Sequence, residues 1–210
     1  PPTPPPRPPP AIAAAGGLDA PPHARGALVP SRAQAMTDAL CAEGIRRAVC
    51  SLERAVLDGA DLAAREDMAL AALFSGMALA NAGLGAVHGF AAPLGGMFHA
   101  PHGAVCAALL APVWQANLRA IRKAGASAAL EKFRLAAVLL TGLPDAEPEA
   151  ACERLHELTT RLRIPGLASL GVGEQDYEEI SHKAAQASSM KGNPTHLDHA
   201  SLVEILRSAA

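Results

Sequence analysis

The sequence predicts an all-α protein. Half of its 210 residues are apolar but only 3% are aromatic. Alanine and leucine lead that apolar half, a composition that favours closely packed helices over sheets built from β-branched and aromatic side chains. From Ser31 onward apolar positions recur at three-to-five-residue intervals, and no segment of any length alternates with period two. A chain of this length can bury a substantial core.

The segment PPTPPPRPPP, residues 1–10, reads as extended polyproline, since eleven of the 18 prolines fall within the first 30 residues. A linker is the preferred reading, with a ligand for a proline-reading module as the alternative. The chain does not begin with methionine, so a fragment is expected. Residues 11–210 then form one helical domain. Its first helix is expected from Ser31 to about Asp58, with Ser31 or Thr37 as cap, and its second from Asp61 to about Ala82. The run Asn81-Ala82-Gly83-Leu84-Gly85 can close that helix in a left-handed turn and re-aim the chain before His88. Gly95-Gly96 and Pro101 are expected to break the path again. His102-Gly103 then opens an apolar helix interrupted at Pro112. Further helical patterns run over Ser127–Thr141, Pro148–Leu162, Gly173–Ala187 and His199–Ser208.

Composition also excludes function classes. The 18 basic and 20 acidic residues give a net charge of −2 and are scattered, without the basic block or aromatic interleaving that tracks a phosphate backbone, so nucleic acid is not an expected partner. No charged leader precedes a short apolar stretch and no long apolar run escapes polar interruption, so no membrane partner and a cytoplasmic location are expected. Cys41, Cys50, Cys106 and Cys152 are widely spaced without a CxxC pair and read as small core hydrophobes in a reducing compartment.

The chemistry concentrates in residues 85–107, GAVHGFAAPLGGMFHAPHGAVCA, where His88 and His102 stand fourteen residues apart around glycines and prolines that allow the backbone to bring two imidazoles together. Asp19 and His23 form an i, i+4 pair, which would share one face of a helix, although Pro21-Pro22 intervenes. Asp19 could lie near an N-cap, where proline is tolerated in the following turn. One carboxylate and three imidazoles suit Fe(II) or Zn(II). His99 is a candidate substitute ligand or active-site acid, set against the ordinary reading of an exposed loop histidine. Phe90, Leu94, Met97 and Phe98 could wall the site from water, set against their reading as plain core.

The stretch HGFAAPLGGMFHAPHGAVCAALLAPV closely resembles the signature of the iron-containing alcohol dehydrogenases, whose relatives include maleylacetate reductases. The similarity extends through GGLDAPPH, MTDAL, GMALANAGLGAVHG and SSMKGNP, covering the chain from about Ala11. The resemblance implies that Asp19, His23, His88 and His102 are the four metal ligands. It also implies the C-terminal helical domain of the dehydroquinate synthase-like fold. Such a domain would work with NAD or NADP, and the reaction would pass hydride between the nicotinamide and a small alcohol or carbonyl compound.

Three departures qualify that expectation. The α/β nucleotide-binding half of such enzymes is missing, since no glycine-rich loop follows a strand, and the nicotinamide would have to be held by a domain this chain lacks. Ala92 stands where the family often has a histidine that helps relay a proton, leaving water, His99 or another group for that task. Pro21-Pro22 departs from the usual helix-forming sequence of the ligand turn. A maleylacetate-reductase-like activity, for which Arg25 and Arg32 are the nearby cations, is an alternative. So is a catalytically silent helical remnant or interaction module. Self-association into a homodimer is left open, because a domain deprived of its other half would expose an apolar face.

Overall fold

A computed structural model describes residues 10–18 and 35–210. The Ser31 cap, Asp19 and His23 therefore lie outside the described residues, as do Arg25 and Arg32. Helix α1 covers 10–18, so Pro10 is helical and the extended segment expected over residues 1–10 does not reach its last residue. The helices α2 (Ala35–Leu57), α3 (Leu62–Ala82), α4 (Ala86–Phe98), α5 (His102–Lys123), α6 (Ser127–Thr141), α7 (Pro148–Arg161), α8 (Tyr177–Gln186) and α9 (His199–Ser208) follow. Single 3-10 turns occupy Leu167–Leu170, Glu174–Asp176 and Ser188–Gly192. No strand occurs among the described residues.

Local chemistry sets most of the boundaries. The Asp61 carboxylate caps α3 by accepting from the Ala64 N–H at 2.9 Å, and Asp198 caps α9 by accepting from the Ser201 N–H at 2.8 Å. Gly83 ends α3 at φ 87° and ψ −176°, a positive φ open to glycine but not the left-handed helical turn expected there. The chain then turns by 98° into α4.

Two expected breaks are absent. Helix α4 runs straight through Pro93, Gly95 and Gly96 to Phe98, and α5 runs through Pro112. A proline inside a helix costs about 3 kcal/mol. The residues flanking Pro112, namely Leu109, Leu110, Val113 and Trp114, are at most 1% exposed. Each fully buried side chain of that size gains about 1.5–3 kcal/mol, so together they outweigh the missing backbone bond.

Helix α5 is the spine of the fold. One core cluster lies on the side where its Leu110, Trp114, Leu118 and Ile121 meet Cys41 and Ile45 of α2, Phe133 and Leu140 of α6, and Leu155 of α7. The Trp114 and Phe133 rings sit 4.5 Å apart in a tilted pair, and the indole N–H donates to the Pro148 carbonyl at 2.8 Å. The second cluster joins Val105, Cys106, Leu109 and Val113 of α5 to Phe90 and Leu94 of α4, Ile180 of α8 and Leu206 of α9. Helix α5 is long and apolar enough to cross a membrane by length and composition, and 72% of the relevant window is buried inside the protein, as befits a core helix.

Candidate metal centre

His88 lies in the first turn of α4, and His102 is the first residue of α5. Their elements are held by contacts that converge on the glycine-rich turns. The N-terminus of α4 has no cap of its own; instead the Asn193 side-chain oxygen accepts from the Ala86 N–H at 3.1 Å. Asn193 also pairs with the buried Asn117 of α5 and donates to the Thr195 carbonyl. Gly192 allows this approach, since a Cβ there would overlap the Leu84 carbonyl oxygen. At the other helix, a Cβ on Gly103 would lie 3.0 Å from the Ala15 carbonyl carbon, so α1 packs closely on the start of α5. Leu18, the last described residue of α1, is fully buried in a small cluster with Ala107 of α5 and Leu52 of α2.

These constraints place the His88 and His102 rings 5.4 Å apart at an interplanar angle of 43°. His88 is buried and His102 exposed, so the pair spans from the core to an open face. The Cys106 sulfur lies 3.5 Å from His102 Nε2 and 3.8 Å from His88 Nε2. One nitrogen from each ring and the sulfur all fall within 4.8 Å of one another. Three donors so grouped fit a divalent first-row cation, which takes neutral imidazoles and thiolate within about 2.0–2.3 Å.

His99 is not part of this group. It ends α4 in the left-handed region at φ 50° and is exposed, which fits the reading of a loop histidine rather than a ligand. Phe90 and Leu94 are fully buried among α5, α8 and α9, so they are core rather than a wall facing substrate; Met97 and Phe98 are half-buried against the same cluster. The cysteine reading needs correction in two places. Cys50 is exposed, and Cys106 is buried but sits at the donor cluster; Cys152, half-buried, packs against the core as expected. The i, i+4 spacing of His102 and Cys106 was the available signal, because residues so spaced share a helix face. Asn193 stands in the SSMKGNP stretch of the family resemblance, which gave it no role, and nothing in the sequence marked Asn117 as its partner 76 positions away.

The molecule is thus a helical domain presenting a compact cluster of metal-ligating side chains where two of its helices begin. Residues 13–210 match the model of the Fe-containing alcohol dehydrogenase family, C-terminal, and the chain belongs to that family. It is 37% identical over 201 residues to alcohol dehydrogenase 4 of Saccharomyces cerevisiae, covering 95% of this chain and 50% of the yeast protein. It is likewise 37% identical to the 1,3-propanediol dehydrogenase of Klebsiella pneumoniae over 205 residues, or 95% of this chain and 51% of that one. The crystal structure of a 1,3-propanediol oxidoreductase superposes with a TM-score of 0.87 at 36% identity, covering 97% of this chain and 53% of the other. A maleylacetate reductase from a Rhizobium strain gives 0.81 at 25% identity, over 96% and 53%. The chain spans about half the length of the curated relatives it matches.

Proposed function

We propose that this chain is the metal-binding helical part of a nicotinamide-linked alcohol dehydrogenase acting on a small alcohol or carbonyl compound. The observation that carries this reading is the meeting of His88 from α4 and His102 from α5 with their ring centroids 5.4 Å apart, at residues matched to the family pattern. His88 and His102 would hold the cation, Fe(II) or Zn(II), through neutral ring nitrogens, with Asp19 and His23 completing the set that the family pattern implies. When bound, such a cation supplies Lewis-acid polarisation of the substrate oxygen.

The chain's own residues have three further tasks. Asn193 and Gly192 fix the start of α4 and so the position of His88. The core packing of Phe90, Leu94 and Val105 joins α4 to α5 and so holds together the two helices that carry His88 and His102. His99, exposed and outside the donor group, suits passing a proton to solvent better than ligation, in a chain with Ala92 at the family's usual relay position. The hydride carrier, NAD or NADP, would be held by a nucleotide-binding half such as the one the relatives' extra length accommodates.

Elemental analysis after anaerobic purification tests the reading. The natural chain should hold one divalent cation, His88→Ala and His102→Ala should each lose it, and His99→Ala should retain it. A natural chain purified and reloaded with Fe(II) or Zn(II) that still binds neither would overturn the metal-dependent reading.

A further inference from the structure

We propose that Cys106 is a thiolate ligand of the cation held by His88 and His102, making this centre a mixed nitrogen–sulfur site. The inference rests on the metal-dependent reading above, and in it Cys106 takes the place of one donor of the Asp-and-three-His pattern, so that the cation keeps four protein ligands. Three observations carry it.

The first is distance. Two donors at about 2.05 and 2.3 Å from one tetrahedral cation, the usual zinc–nitrogen and zinc–sulfur lengths, stand about 3.5–3.6 Å apart. The Cys106 sulfur is 3.5 Å from one imidazole nitrogen and 3.8 Å from the other, so a single cation can satisfy both pairs with little movement. The second is convergence. Two rings from different helices turn the same nitrogen, Nε2, toward one sulfur, so the three donor atoms face a common point. The third is placement. Cys106 lies one helical turn after His102 on α5, on the same face, and is fully buried. Its position is therefore set by the helix and the core rather than by a mobile loop.

Cys41 is the internal contrast. It is equally buried, but among Ile45, Ala78 and Trp114, and it belongs to no group of metal-ligating side chains among the described residues. Burial, with the neighbouring Asp38 carboxylate, pushes its thiol up to about 12, so it stays an inert core side chain.

Metal binding at Cys106 would release the thiol proton to solvent and form one metal–sulfur bond, with no change of oxidation state. A thiolate softens the donor set and shifts its preference from Fe(II) toward Zn(II). Cys106→Ser should therefore weaken zinc binding by at least about 10-fold, the lower bound set by losing an outer-shell partner, and weaken iron binding less.

X-ray absorption of the zinc-loaded full chain, with electronic spectra of the cobalt-loaded chain, decides the matter. The expected result is a sulfur scatterer at about 2.3 Å beside nitrogen and oxygen at about 2.0–2.2 Å, and a cobalt–thiolate charge-transfer band. Cys106→Ser should lose both signals and keep the metal at lower affinity. A shell of nitrogen and oxygen alone in the natural chain overturns the proposal whether or not the variant folds. Sulfur that persists in a folded Cys106→Ser chain overturns it too, by assigning the sulfur to another cysteine. A natural chain that binds no metal fails at the earlier reading, which separates the two failures.

Discussion

At the residue scale, the position of His88 depends on a side chain more than a hundred residues further along. Asn193 makes four hydrogen bonds: its oxygen accepts from the Ala86 N–H and the Asn117 amide, and its nitrogen donates to the Asn117 oxygen at 2.6 Å and the Thr195 carbonyl at 2.8 Å. That arrangement uses the amide's full capacity. Asn193→Ala would leave the Ala86 N–H and the buried Asn117 amide without these partners, at about 1–3 kcal/mol for each group left unsatisfied. We expect a lower urea midpoint, followed by the fluorescence of the single tryptophan, Trp114, which is fully buried. Metal affinity should fall with it, because the unpinned first turn of α4 carries His88. An unchanged midpoint and affinity would mean that Asn193 is incidental to the site. Gly192→Ala should act in the same direction, since the overlap is with backbone rather than a flexible side chain.

At the element scale, α4 holds helical residues that its sequence opposes. Gly95 and Gly96 lie in its last turn without positive φ, and a Cβ at either would meet no heavy atom of another described element within 4 Å. Gly95→Ala and Gly96→Ala should each stabilise the chain by about 0.4–1 kcal/mol, chiefly by restricting the unfolded state. A rise in thermal midpoint checks this, and a fall would show that the turn needs glycine. The same helix shows where sequence reading succeeded and stopped. The limits of α6 and α9 follow from local signals, an apolar period opened by Ser127 or capped by Asp198, and match the expected spans. The continuity of α4 and α5 through proline and glycine is instead decided by burial of Leu94, Leu109, Val113 and Trp114, which depends on partners distant in sequence. Helix α1 carried no periodic signal long enough to notice, and the close backbone approach at Gly103 that seats it is a tertiary fact. Likewise His88 and His102 were legible because turns flank them, whereas Cys106 looked like any small apolar residue of a core helix.

At the scale of the whole molecule, α2 attaches to its neighbours through a polar rim as well as an apolar face, and this rim predicts the acid limit of stability. Arg47 pairs with Asp67 of α3 at 2.6 Å, Arg54 with Asp61 at 2.6 Å, and Glu53 with Arg154 and Arg161 of α7 at 3.2 and 2.6 Å. The Ser51 hydroxyl, donating at 2.6 Å, and then the charge of Arg47 hold the Asp67 carboxyl below the usual range. The Ala64 N–H and then Arg54 do the same for Asp61. Hydrogen bonds from Arg46, reinforced by Arg47, bring Glu43 down to about 2. A carboxyl whose folded pKa is depressed binds its proton more readily in the unfolded chain, so its stabilisation is complete above the unfolded value, about 4, and disappears as pH falls through the folded value. The window is therefore from about pH 4 down to about 2, the folded value of Glu43. These pairs are largely solvated, which keeps each contribution small. Their sum should nevertheless make the Trp114 thermal midpoint decline across that window. Asp67→Asn removes one of the titrating carboxylates and frees both Ser51 and Arg47, so it should lower the midpoint at neutral pH and make the decline below pH 4 shallower. Parallel acid profiles for the two chains would show that the α2–α3 rim does not set acid sensitivity, and would leave the apolar contacts of Cys41, Ile45 and Ala78 as the attachment that matters.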